Sequence, residues 1–174
     1  MTTPTELPGR FDTITDEELK SYIAALAEHL NADADIETAA PLAQVIDEHC
    51  KPWHHSHFDT LAACYLKEPR IAVRFPIFKS LQRLTGQSPQ LLDRMLHLYR
   101  TDHRTEDNDS DRETIKEFFQ YLFATKGHQH HWDAIAETAT TPSDAAMLKA
   151  LQSKIRKTNT NPVEPWLPET PDKS

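Results

Sequence analysis

Glycine is scarce. Only Gly9, Gly86 and Gly127 occur in 174 residues. A β-sandwich or barrel usually needs many glycine turns, so an all-β fold is not expected for this chain. No two glycines lie close enough to build a phosphate-cradling loop, which excludes a nucleotide site of that kind. Cysteine is scarcer still. Cys50 and Cys64 are the two in the chain and make no disulfide framework. No run of 18 apolar residues is present, so no membrane span is expected. A charged start followed by an apolar run is also missing, so no signal peptide is expected. The expectation is a soluble, cytoplasmic protein in a reducing compartment.

What remains is polar but foldable: 38% hydrophobic and 26% charged residues. The net charge of −8 is unevenly spread. Residues 1–66 hold 3 basic and 12 acidic side chains, residues 67–104 hold 8 and 3, and residues 105–174 hold 8 and 12. A basic middle between acidic ends has two explanations. The basic helices neutralise acidic neighbours inside the fold, or they present a basic face to an anionic partner.

Apolar spacing predicts helices throughout. Thr15-Asp16-Glu17-Glu18 is a capping box ahead of Leu19, Tyr22, Ile23, Leu26 and Leu30. A second helix is expected from Ala39 or Ala40 to Cys50, with Pro41 in its first turn. Phe58, Leu61, Ala62, Tyr65 and Leu66 mark a third. Residues 70–75 alternate like a strand but have no partner strand, so an extended linker or an irregular helical turn is expected there, with Pro76 opening the fourth helix. Ser88-Pro89 starts a fifth, and Ser110 to Glu113 is a second capping box before Ile115, Phe118, Phe119, Leu122 and Phe123. Trp132, Ile135 and Ala136 mark a short seventh helix, and Thr141-Pro142 opens the last, carrying Met147, Leu148, Leu151 and Ile155. The predicted fold is all-α, a compact bundle of seven or eight amphipathic helices with short loops. It comprises a lead-in at 1–14, one helical domain at 15–157, and an extended tail at 158–174 bearing Pro162, Pro165, Pro168 and Pro171.

Histidine is abundant: 10 residues, many of them clustered. Cys50, His54, His55 and His57 form one group; His128, His130 and His131 form another. Imidazole and thiolate ligate zinc and other transition metals, so these seven residues are candidate metal ligands, with zinc as the alternative cofactor. Neither group has paired zinc-finger spacing, and no His-Glu-x-x-His helix is present.

The segment Phe78 to Tyr99 places Gly86 at a turn, Leu81 in the preceding helix, and Leu92 and Met95 in the following one. Over about 20 residues this resembles a bacterial helix-turn-helix. The resemblance implies a DNA-binding regulator reading bases or phosphates with Gln87, Ser88, Gln90 and Arg94. Gln82 stands where a small residue is usual, and Gln87 where an apolar one is.

The tail carries Pro165-Trp166-Leu167-Pro168. Trp166 and Leu167 suit a partner's groove, or fold back on their own domain as an apolar latch. No Gly-x-Ser-x-Gly elbow or cysteine nucleophile context is present, so no enzyme class is indicated. The sequence-level expectation is therefore a non-enzymatic regulatory protein without cofactor that binds another protein. Arg70, Arg74, Lys79 and Arg83 would steer an acidic partner and Trp166 and Leu167 would anchor it. DNA binding and metal binding are the alternatives, and a homodimer is compatible with the same surfaces.

Overall fold

A computed structural model of the chain describes residues 6–30, 36–85, 89–102, 116–123, 128–137 and 141–158. The described residues are helical with no strand. The helices are α1 (Asp16–Glu28), α2 (Ile36–His49), a 3-10 turn (His55–His57), α3 (Phe58–Lys67), α4 (Ile71–Thr85), α5 (Pro89–Thr101), α6 (residues 116–123), α7 (Gln129–Ala136) and α8 (Pro142–Thr158). None of them is long and apolar enough to cross a membrane. The chain divides into two compact units, Met1–Asp102 and His103–Ser174.

In the first unit α4 is central, packing on α2, α3 and α5, while α1 lies on α2 and α3. The reason is visible in α4 itself. Val73, Ile77, Phe78, Leu81 and Leu84 are all fully buried, a broad apolar stripe that needs neighbours on more than one side. Leu19, Ile23 and Leu26 of α1, Leu42 and Ile46 of α2, and Leu61 of α3 are buried to the same degree. Each such side chain contributes about 1.5–3 kcal/mol.

α1 begins as its sequence predicts. The Glu18 N–H donates to Thr15 Oγ1 at 3.2 Å, and the Thr15 N–H donates to Glu18 Oε2 at 2.6 Å. Two starts differ from expectation. α2 opens at Ile36 rather than Ala39 or Ala40, and α4 opens at Ile71, so residues 71–75 are regular helix and not a linker. In both helices a proline, Pro41 or Pro76, sits inside rather than at the start. Each is the sixth helical residue, so the helix carbonyl that loses its proline-position donor belongs to Glu37 or Ala72, both exposed residues. The Ser80 hydroxyl donates to the Pro76 carbonyl at 3.1 Å one turn later.

In the second unit, α6 buries Phe119, Leu122 and Phe123, and α7 buries His131, Trp132, Ala134 and Ile135. Phe119 stacks on Phe123 at 6.2 Å between ring centroids, and Phe123 stacks on His131 at 5.4 Å with 6° between planes. α8 buries Leu148.

Candidate functional site

Four basic residues of 67–104, Arg70, Arg74, Lys79 and Arg83, are paired or buried inside the first unit. Arg70 donates from Nε to Glu68 Oε1 at 2.7 Å and from Nη2 to Glu68 Oε2 at 2.9 Å, and also reaches the His29 carbonyl at the end of α1. Glu68 is fully buried. On α4, Lys79 Nζ lies 2.7 Å from Asp47 Oδ2, and Arg83 Nη2 lies 2.9 Å from Asp47 Oδ1. Asp47 is buried, so the two cations neutralise a carboxylate that would otherwise be desolvated alone. Arg74 is only 4% exposed, which removes it from any surface that steers a partner. Its guanidinium carbon sits 5.9 Å from the Tyr65 ring centroid. These placements match internal neutralisation for Arg70, Lys79 and Arg83, while Lys67 and Arg100 are exposed.

The first histidine group is similarly engaged. The His54 Nδ1 accepts the Lys51 N–H at 2.9 Å, which fixes its proton on Nε2, and burial holds its pKa below the ordinary histidine value. His57 Nε2 donates to Asp16 Oδ1 at 2.8 Å, and this bond holds the Asp16 carboxyl below its ordinary range. His55 is exposed. Cys50 is fully buried, and burial pushes its thiol up to about 12. The ligand atoms of Cys50, His54, His55 and His57 do not gather within 4.8 Å of one another. In the second group the His131 Nδ1 accepts the His128 N–H at 2.9 Å across the start of α7, and its ring is buried against Phe123. His130 lies beside it at 3.8 Å between centroids.

Of the residues named for DNA, Gln90 and Arg94 are exposed on α5. Arg94 Nη1 pairs with Asp59 Oδ1 at 2.9 Å, a surface contact of small worth. Gln87 and Ser88 lie outside the described residues, as do Trp166 and Leu167 and the second capping box at Ser110 to Glu113.

Among the described residues of the second unit, a concave feature lies between α6 and α8. It is an open groove of about 380 Å³ lined by Glu117, Phe118, Gln120, Tyr121, Met147 and Leu151. Its walls are built by helical spacing. Phe119, Leu122 and Phe123 point α6 inward, which turns Glu117, Phe118 and Tyr121 to a different face. Met147 and Leu151 stand four residues apart on α8 and so share one face, next to buried Leu148. Tyr121 is 53% exposed and Met147 40%. The sequence does carry a signal for this groove: α6 has more apolar residues than one stripe accommodates. By spacing alone Phe118 falls in one stripe with Phe119, Leu122 and Phe123, and Tyr121 lies outside it. The arrangement offers an apolar trough with a carboxylate (Glu117), an amide (Gln120) and a phenol (Tyr121) on its walls. Comparison with protein-family models, with characterised proteins and with solved structures finds no match for this chain.

Proposed function

We propose that the protein is a non-catalytic helical binding protein, and that its second unit holds a short apolar segment of a protein partner in the groove between α6 and α8. The observation that carries this reading is the exposure of Tyr121 and Met147 on the walls of a groove that Phe118 and Leu151 complete. Apolar surface left concave and open is the usual mark of a docking site. An apolar trough between two helix faces fits the mode in which an amphipathic helix or extended segment lays its anchors into a groove. Contact through the basic stretch 67–104 receives less support, because Lys79 and Arg83 are held by Asp47, Arg70 is held by Glu68, and Arg74 is buried.

Selection of a random peptide library against the full chain tests this reading. The control is the chain with Tyr121→Glu and Met147→Lys, two exposed positions whose replacement leaves the buried core intact. The expected outcome is enrichment of peptides bearing adjacent large apolar residues, with affinity lowered about tenfold or more in the control, as loss of a central anchor produces. Peptides that bind both proteins alike, or a library from which nothing is enriched, would overturn the reading.

A further inference from the structure

The groove has a candidate occupant within the same polypeptide. We propose that the C-terminal segment, with Trp166 and Leu167 as its anchors, lies in the α6/α8 groove of its own chain and competes with any partner segment for it. The inference rests on the groove being a docking site for apolar segments, and it adds the regulation of that site. Residues 159–174 lie outside the described structure, so the case is made from the groove, the end of α8 and the sequence that follows.

The first argument is position. Two groove residues, Met147 and Leu151, belong to α8, which ends at Thr158. At a rise of ~1.5 Å per residue they lie roughly 16 and 10 Å back from that end. The tail therefore starts close to the groove and needs only to turn round.

The second is the turn. The residues after α8 are Asn159-Thr160-Asn161-Pro162. Asparagine tolerates the left-handed conformation that ends helices and reverses chains, and proline cannot continue the helix.

The third is length. Pro162 and Pro165 favour an extended, left-handed backbone that advances ~3.1 Å per residue, so Trp166 falls about 12 Å and Leu167 about 15 Å beyond Pro162. That reach is of the same order as the roughly 10 and 16 Å that separate Leu151 and Met147 from the end of α8.

The fourth is chemistry. Trp166 and Leu167 are neighbours in a tail otherwise composed mainly of polar residues and proline. Their surface is the kind that Phe118, Tyr121, Met147 and Leu151 accept. The prolines restrict the free tail, so little freedom is lost on docking. Attachment raises the local concentration of the segment to the millimolar range, enough for a weak contact to compete with a free partner.

The experiment uses the full chain with Trp53→Phe. Trp53 is 70% exposed, and its removal leaves buried Trp132 and Trp166 as reporters. Acrylamide quenching of Trp166 is expected to be about fivefold or more below that of a synthetic 159–174 peptide, because a docked indole is shielded. Adding Tyr121→Glu and Met147→Lys should raise it to the level of the peptide. Quenching equal to the peptide's with the groove unaltered overturns the proposal. A second arm pairs Met147→Cys with Leu167→Cys. An intramolecular disulfide is expected, whereas disulfide-linked dimers would place the tail in a second copy and overturn occupancy in cis. Peptide selection on the chain with Trp166→Ala and Leu167→Ala separates the two readings. Selected peptides should bind that chain about tenfold more tightly than the unaltered one, as removal of a tethered competitor requires. Equal binding together with exposed Trp166 defeats the tail proposal and leaves the docking site standing. A shielded Trp166 with no peptide captured by either chain defeats the docking reading and leaves the tail in the groove.

Discussion

Arg83 closes the end of α2 by gripping Asp47 twice. Its Nη2 donates to Asp47 Oδ1 at 2.9 Å and its Nη1 donates to the Asp47 carbonyl, while the same Nη1 reaches the Cys50 carbonyl at 3.0 Å. One side chain on α4 thus neutralises a buried carboxylate and satisfies carbonyls that the last turn of α2 leaves open. Lys79 shares the carboxylate but reaches none of those carbonyls among the hydrogen bonds described. Arg83→Ala should therefore cost more than Lys79→Ala. The expected losses are about 2 kcal/mol and less than about 1 kcal/mol, both discounted for the partial exposure of the two cations. Arg83→Lys should recover less than half, because an ammonium lacks the planar fork. Urea unfolding of the three variants checks the order; equal losses for Arg83→Ala and Lys79→Ala would contradict it.

Arg74 is the opposite case. It is buried, and its Nε and Nη1 have no hydrogen-bond partner. What it does have is the face of Tyr65, whose hydroxyl donates to Asp102 Oδ2 at 2.7 Å. A cation–π contact offsets only part of the cost of desolvating a guanidinium. Arg74→Met keeps the length of the stem and removes the charge. It should leave stability unchanged or raise it by about 1 kcal/mol, as apolar replacements of buried charges do. A loss above about 2 kcal/mol in urea unfolding would show that the guanidinium has a stabilising role that its hydrogen bonding does not reveal.

Much of this fold is legible because its signals are local. The Thr15–Glu18 box, the stripe of α1 and the helix after Pro142 need only neighbours within four residues. The starts of α2 and α4 are not legible in the sequence because Pro41 and Pro76 are strong local breakers, and their tolerance depends on whether Glu37 and Ala72 face water. That is a tertiary fact. The arginines show the same limit. Sequence gives Arg70, Arg74, Lys79 and Arg83 one sign and one region, but Asp47 is more than 30 residues from Lys79 and Arg83, and its pairing with them depends on how α2 lies on α4. The groove combines α6 and α8 likewise, and no spacing rule links Tyr121 to Met147.

Both cysteines are buried and free, and burial raises the Cys50 thiol to about 12 and the Cys64 thiol to about 11. Thiolate is the reacting species, so neither should react with Ellman's reagent in the native protein at pH 8, and both should react once guanidinium unfolds it. The same shifts set a sign at alkaline pH. The unfolded thiols ionise near pH 8.5 while the folded ones stay protonated, so stability should fall as pH rises beyond that value. A native thiol that reacts at the rate of free cysteine would refute the buried placement.

At acid pH two steps should separate. His54 has its pKa lowered by burial, so the unfolded chain takes a proton near pH 6.5 before the folded chain does. Stability is therefore lost as pH falls from about 7 through the unfolded histidine value. Asp16 and Glu18 act lower down. Their folded pKa values are depressed, chiefly by the hydrogen bond from His57 to Asp16 and by the Thr15 backbone N–H to Glu18. Their contribution is complete above the ordinary carboxylate range near pH 4 and disappears as pH falls through the depressed values. His54→Asn keeps an acceptor near the Lys51 N–H but cannot titrate. It should flatten the decline in melting temperature between pH 7.5 and 5 and leave the decline below pH 4 in place. Asp16→Asn should do the reverse, weakening the acid step because the partner of His57 no longer ionises. Melting curves of both variants from pH 7.5 to 3 check the assignment. If His54→Asn leaves the upper slope unchanged, the burial of His54 is not what drives that step.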